Sequence, residues 1–165
     1  MMTTGSPSPG AKPGDRAPRA PSALTPPSPA TAGPAPLAKR PPPLILIADD
    51  DPAIRDVWST ALHQAGFRTT TARDGGEALD RLRMLVPDLM ILDLRMPELS
   101  GTAVLELIRL RPALALIPVL IISGFLGEEP VIDRGLHIVG RLPKPQTLQA
   151  VVDAVRAGLA MPPRT

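Results

Sequence analysis

From Leu44 onward the chain alternates short aliphatic runs with stretches whose apolar side chains recur at helical spacing, and that alternation admits few folds. The runs LILIA (44–48) and VLIIS (119–123) are apolar throughout rather than at every second position. Strands of that kind are covered on both faces, as in a parallel sheet with helices above and below. Strands are predicted at Leu44 to Ala48, Arg68 to Ala72, Leu89 to Asp93, Val119 to Ser123 and Gly140 to Pro143. Between the first two, Ile54, Val57, Trp58, Ala61, Leu62 and Ala65 form one apolar helical stripe that Gly66 ends. Asp74 and Glu77 stand in capping-box spacing ahead of Ala78, Leu79, Leu82 and Leu85, and Ser100 precedes a third helix carrying Val104, Leu105 and Ile108. A short fourth helix is predicted in GEEPVIDRGL (127–136), where Pro130 and Gly135 leave barely two turns, and a fifth carries Leu148, Val151, Val152, Val155 and Leu159. The expected class is α/β, with five strands and five helices and no internal repeat.

Residues 1–43 differ in kind. They hold 13 of the 23 prolines, together with Ala, Ser, Thr and Gly and almost no large apolar side chain. Such a segment buries too little surface to offset its ordering entropy, so a disordered basic tail is predicted over 1–43, a folded domain over 44–160 and a short C-terminal tail over 161–165. The charge divides likewise. Lys12, Arg16, Arg19, Lys39 and Arg40 face only Asp15 in the tail, whereas after Pro43 acids outnumber bases. A nucleic-acid-binding domain would concentrate Lys and Arg on its folded face and interleave aromatics for stacking; here there are one Trp, two Phe and no Tyr. The absence of cysteine excludes disulfides, thiolate chemistry and Cys-based metal sites. The run ALALIPVLII is far too short to span a bilayer, and no secretory h-region opens the chain. The expectation is a soluble, cytoplasmic protein with no direct contact to nucleic acid or membrane.

In an open parallel sheet, ligands bind beyond the carboxyl ends of the strands. The polar residues gather there: Asp49 and Asp50 follow the first predicted strand, Asp93 closes the third, Ser123 the fourth, and Lys144 follows the fifth. Three converging carboxylates repel one another, and a divalent cation with hard oxygen ligands, Mg²⁺, would offset that. Asp49 and Asp50 can also be read as solvated loop acids, and Ser123 as a turn former. Asp51 has the place of a helix N-cap with Pro52 at N1. Lys144 is the only Lys after Pro43, against twelve Arg. A compact ammonium suits a phosphoryl contact that a planar guanidinium would overfill.

The segments LILIADDDPAIRD, PDLMILDLRMPELSG, IPVLIISGF and LPKP together resemble the receiver domains of bacterial two-component response regulators, in the family's order and near its spacing, over essentially all of residues 44–159. The resemblance implies a flavodoxin-like three-layer sandwich with strand order 2-1-3-4-5. It makes Asp93 the phosphoacceptor, Asp49 and Asp50 the acidic pair for Mg²⁺, and the backbone carbonyl of Arg95 a further metal ligand. Ser123 would bond the phosphoryl group, with Lys144 its cationic partner. The donor implied is a sensor histidine kinase or a histidine phosphotransfer protein, and the output a protein–protein contact of a single-domain regulator, monomer or weak dimer.

One departure stands out. The aromatic switch that family members usually carry three positions before the lysine is Arg141 here. No output domain is expected after the fifth helix. Three other readings share parts of the pattern: a phosphate-independent docking module, a receiver once part of a larger hybrid kinase, and a haloacid-dehalogenase-like phosphatase. The last needs a second Asp two residues beyond the nucleophile, and that residue is Arg95.

Overall fold

The computed structural model describes residues 40–124 and 134–162. The chain runs β1 (Leu44–Ala48), α1 (Pro52–Gln64), β2 (Arg68–Ala72), α2 (Gly75–Met84), β3 (Leu89–Leu92), α3 (Gly101–Arg109), α4 (Pro112–Ala115), β4 (Val119–Ser123), β5 (Ile138–Pro143) and α5 (Leu148–Ala160). The strands form one sheet in the order β2-β1-β3-β4-β5, and every neighbouring pair is parallel.

The all-apolar strands are explained by two core layers. Leu46, Ala48, Met90, Leu92, Val119 and Ile121 face α2 and α3, packing on Ala78, Leu82, Val104, Leu105 and Ile108. The alternate residues Ile45, Ile47, Leu89, Ile91, Leu120 and Ile122 face Trp58 and Leu62 of α1 and Val151, Val152 and Val155 of α5. Each fully buried Leu or Ile contributes about 1.5–3 kcal/mol, so both faces of the central strands hold their helices in place.

The predicted caps form. Asp51 accepts from Ala53 N at 2.8 Å with Pro52 opening α1, and Gly66, at φ 91°, turns the chain out of that helix. Asp74 accepts from Glu77 N at 2.7 Å, whereas the Glu77 carboxylate reaches past the cap to Arg73 N at 3.1 Å. Ser100 and Thr147 accept from Ala103 N and Ala150 N, each at 3.2 Å. Contacts begin ahead of β1: Arg40 pairs with Asp88 at 3.0 Å and Pro43 O accepts from Arg68 N at 2.9 Å.

Two boundaries differ from expectation. β3 ends at Leu92, one residue before Asp93, and β5 begins at Ile138 rather than Gly140. A register shift between Val119 and Leu120 leaves Val139 as an extra residue, so the β4–β5 ladder reaches back past Gly140 to Ile138. The helix predicted in GEEPVIDRGL falls mainly on residues 125–133, outside those described. The fourth described helix is instead the single turn α4, opened by Pro112 in the α3–β4 connection.

The loop from β3 to α3 is folded tightly under the third strand's end. Gly101 N donates to Leu94 O at 2.8 Å, and a Cβ on Gly101 would lie 2.0 Å from the Asp93 carbonyl oxygen. Only glycine lets the start of α3 approach Asp93 this closely. Gly101→Ala is therefore expected to cost about 2–3 kcal/mol, lowering the melting temperature on the order of 10 °C. Gly124→Ala, where an added Cβ meets nothing within 4 Å, should change it by little. Equal melting temperatures for both variants would remove the close approach from the account.

Candidate functional site

Register assembles the site. Ala48 pairs with Leu92 and Leu92 with Ile121, so β1, β3 and β4 end side by side. The ladders continue one residue further: Asp93 N donates to Ala48 O at 2.9 Å, and Lys144 N to Ser123 O at 3.1 Å. Asp49, Asp93, Ser123 and Lys144 are thereby delivered to one edge of the sheet by backbone pairing, before any side chain is considered.

Asp49, Asp93 and Ser123 are buried, while Asp50 is exposed. A carboxylate oxygen from each of Asp49, Asp50 and Asp93 lies within 4.8 Å of the others, the spacing a shared cation needs. Lys144 Nζ donates to Asp49 Oδ2 at 2.6 Å and also to Asp93 Oδ2. The remaining oxygens are held by main chain: Asp51 N donates to Asp49 Oδ1 at 3.0 Å, and Arg95 N to Asp93 Oδ1 at 3.1 Å. Arg95 and Arg141 are both exposed, Arg141 on β5 opposite Ile121.

Three features had no reading in the sequence. Arg55 Nη1 donates to the Asp49 carbonyl oxygen at 2.7 Å. The Trp58 ring lies under the Lys144 ammonium, 5.9 Å from centroid to Nζ. The Lys144–Pro145 peptide is cis. The first had a signal that could have been used: Arg55 stands in the opening turn of α1, where the helix dipole disfavours a cation.

The electrostatics are asymmetric. Burial pushes the Asp49 carboxyl above its ordinary range; the hydrogen bonds from Lys144 and Asp51 N pull against this, and the Asp93 charge adds to the rise. Burial would lower the Lys144 pKa, but its two carboxylate partners outweigh burial and hold it above the usual value. The ammonium thus stays charged, and Asp49 carries the unfavourable charge. Oxygen-only donors at this spacing fit Mg²⁺, and a divalent ion would relieve the repulsion that one ammonium only partly offsets.

An open parallel α/β sheet with a carboxylate trio and one lysine at its carboxyl edge defines a receiver-type domain. The chain belongs to the response regulator receiver domain family, whose model matches residues 45–156. It is 35% identical over 115 residues to response regulator RR06 of Streptococcus pneumoniae, covering 68% of this chain and 51% of that protein. Protein Rrf1 of Nitratidesulfovibrio vulgaris is 28% identical over 116 residues, covering 70% of this chain and 84% of Rrf1. A crystal structure of a CheY-like response regulator receiver domain protein from Methanospirillum hungatei superposes with a TM-score of 0.64 at 26% identity, covering 72% of this chain and 94% of that one. The chain spans about half the length of RR06 and about a quarter of several other curated relatives. Among the described residues no helix is long and apolar enough to cross a membrane.

The sign of the Asp49 shift makes a test. Its folded pKa lies above its unfolded one, so its contribution to stability is present below the unfolded value and lost as pH rises through the folded one. At neutral pH the charge destabilises the metal-free domain. Asp49→Asn should therefore raise the metal-free melting temperature at pH 7 by roughly 2–5 °C, with the gain shrinking toward pH 4, and should abolish stabilisation by Mg²⁺. A lower melting temperature at pH 7 would contradict the assignment of the strain to Asp49.

Proposed function

We propose that the chain is a response regulator receiver that accepts a phosphoryl group on Asp93 from a phosphohistidine, on a histidine kinase or phosphotransfer protein, and signals by binding another protein. The observation that carries this reading is the lysine bridge. Lys144 already touches Asp93, so a phosphoryl group arriving there meets a cation without rearrangement of the fold.

In the transfer, an Asp93 carboxylate oxygen bonds to phosphorus as the phosphorus–nitrogen bond of the donor breaks, and the bonding pair returns to the imidazole nitrogen. Arg95 N–H holds the other carboxylate oxygen and fixes the plane of attack. Lys144 can move from the Asp93 carboxylate to a phosphoryl oxygen, and Ser123, at the end of β4, supplies a hydroxyl. Asp49, Asp50, Asp93 and the Arg95 carbonyl would hold Mg²⁺, which when bound neutralises charge on the transferred group.

A half-open apolar cavity of about 330 Å³ adjoins Lys144, lined by Ala53, Ile54, Val57, Trp58, Pro145 and Leu148. Val57 and Leu148 are exposed on it, a surface suited to the apolar side chains of a docking donor helix. Downstream, Arg141 cannot carry its charge into a buried pocket without a large desolvation penalty, so output does not use an inward-turning aromatic. It leaves instead through Ser123 and the loop after it, whose residues 125–133 lie outside those described.

Incubation with acetyl phosphate and Mg²⁺, followed by mass-spectrometric mapping, should place one adduct on Asp93. Asp93→Asn should abolish it, and Lys144→Ala, which removes the cation waiting beside Asp93, should lower its yield. An adduct that persists in Asp93→Asn or with Mg²⁺ chelated overturns the assignment. No adduct, with partner binding intact, would mark a phosphate-independent docking module.

A further inference from the structure

Every polar atom of Asp49 is held, each from a different place. Its N–H donates to Ala72 O at 3.1 Å on β2, Oδ1 accepts from Asp51 N at 3.0 Å, and Oδ2 accepts from Lys144 at 2.6 Å. The fourth atom, the main-chain oxygen, accepts from Arg55 Nη1 at 2.7 Å. The next residue is the opposite. Asp50 is exposed, and among the described residues its carboxylate has no hydrogen-bond partner.

Arg55 stands where helix stability disfavours it. It is the fourth residue of α1, a first turn without an acidic residue, facing the partial positive charge of the helix N-terminus. It is half-buried, and among the described residues no carboxylate pairs with it; the Asp49 carbonyl is its hydrogen-bond acceptor. The peptide unit joining Asp49 to Asp50 is planar, so holding the Asp49 oxygen fixes the plane from which Asp50 projects.

We propose that Arg55 is a positioning residue of the metal site: by clamping the Asp49 carbonyl it aims the free Asp50 carboxylate at the space shared with Asp93. This rests on the Mg²⁺ reading given above. Groups that orient metal ligands without touching the metal change affinity by about 10–100-fold when removed. The alternative role, a nearby positive charge, carries the opposite sign. Removing a cation from beside a metal site strengthens binding of a dication, whereas removing a clamp weakens it.

The test is calorimetric titration of Mg²⁺ into the full chain as wild type, Asp50→Asn, Arg55→Met, Arg55→Gln and Arg55→Lys, with melting temperatures of the metal-free proteins as a check on folding. Wild type should bind and Asp50→Asn should not. Arg55→Met and Arg55→Gln should bind about tenfold more weakly, about 1.4 kcal/mol, and Arg55→Lys should recover part of the loss. Should Arg55→Met fail to fold, Arg55→Gln decides. If wild type binds and Asp50→Asn does not, while the uncharged Arg55 variants bind equally or more tightly, the clamp is overturned and the metal site stands. If wild type and Asp50→Asn titrate alike, the metal site falls and the clamp with it.

Discussion

The ammonium of Lys144, lodged between the carboxylates of Asp49 and Asp93, is the interaction on which the rest of the site depends. It ties the end of the last strand to the ends of the first and third, across almost the whole folded sequence. Two buried acids side by side with no cation would drive each other toward protonation or force the strand ends apart. One ammonium holds them together, but burial still keeps the Asp49 carboxyl above its ordinary range. The site is therefore assembled and incompletely neutralised, a state that favours a dication.

The fold contributes by carrying the strain elsewhere. Both faces of the central strands are covered by aliphatic packing, so the strand ends have no freedom to separate when their charges repel. The close approach of Gly101 to the Asp93 carbonyl and the ladder bond from Asp93 N to Ala48 O hold the third strand's end from both sides. Stability in the core layers and unfavourable charge at the rim are two parts of one arrangement.

What could be read from the sequence, and what could not, follows from the range of each interaction. β1, β2 and β4 have the predicted limits because their aliphatic or β-branched runs stop at an acid, a basic residue or a glycine. The N-caps at Asp51, Asp74, Ser100 and Thr147 involve partners two or three residues away, and the first three carry a local sequence signal. β5 is longer than expected because the bulge at Val139 depends on how β4 presents Leu120, a tertiary matter that periodicity does not encode. Lys144 was conspicuous as the only lysine after Pro43, and Asp49, Asp50 and Asp93 as acids at strand ends. Arg55 was not, since a guanidinium bonded to a carbonyl six residues back leaves no pattern beyond its awkward place in a helix's first turn. The turn at Pro112–Ala115 was hidden because its apolar residues run on from α3.

The central claim is that Asp93 receives the phosphoryl group at a metal held by its neighbours, with Lys144 passing from carboxylate to phosphoryl oxygen. A crystal structure of the domain with Mg²⁺ and beryllofluoride, a phosphoryl mimic, tests all three elements at once. The account predicts beryllium bonded to an Asp93 carboxylate oxygen, Mg²⁺ among Asp49, Asp50, Asp93 and the Arg95 carbonyl, and Lys144 Nζ moved onto a fluorine. Beryllofluoride on another carboxylate, or Lys144 still bridging Asp49 and Asp93 with the mimic bound, would contradict it.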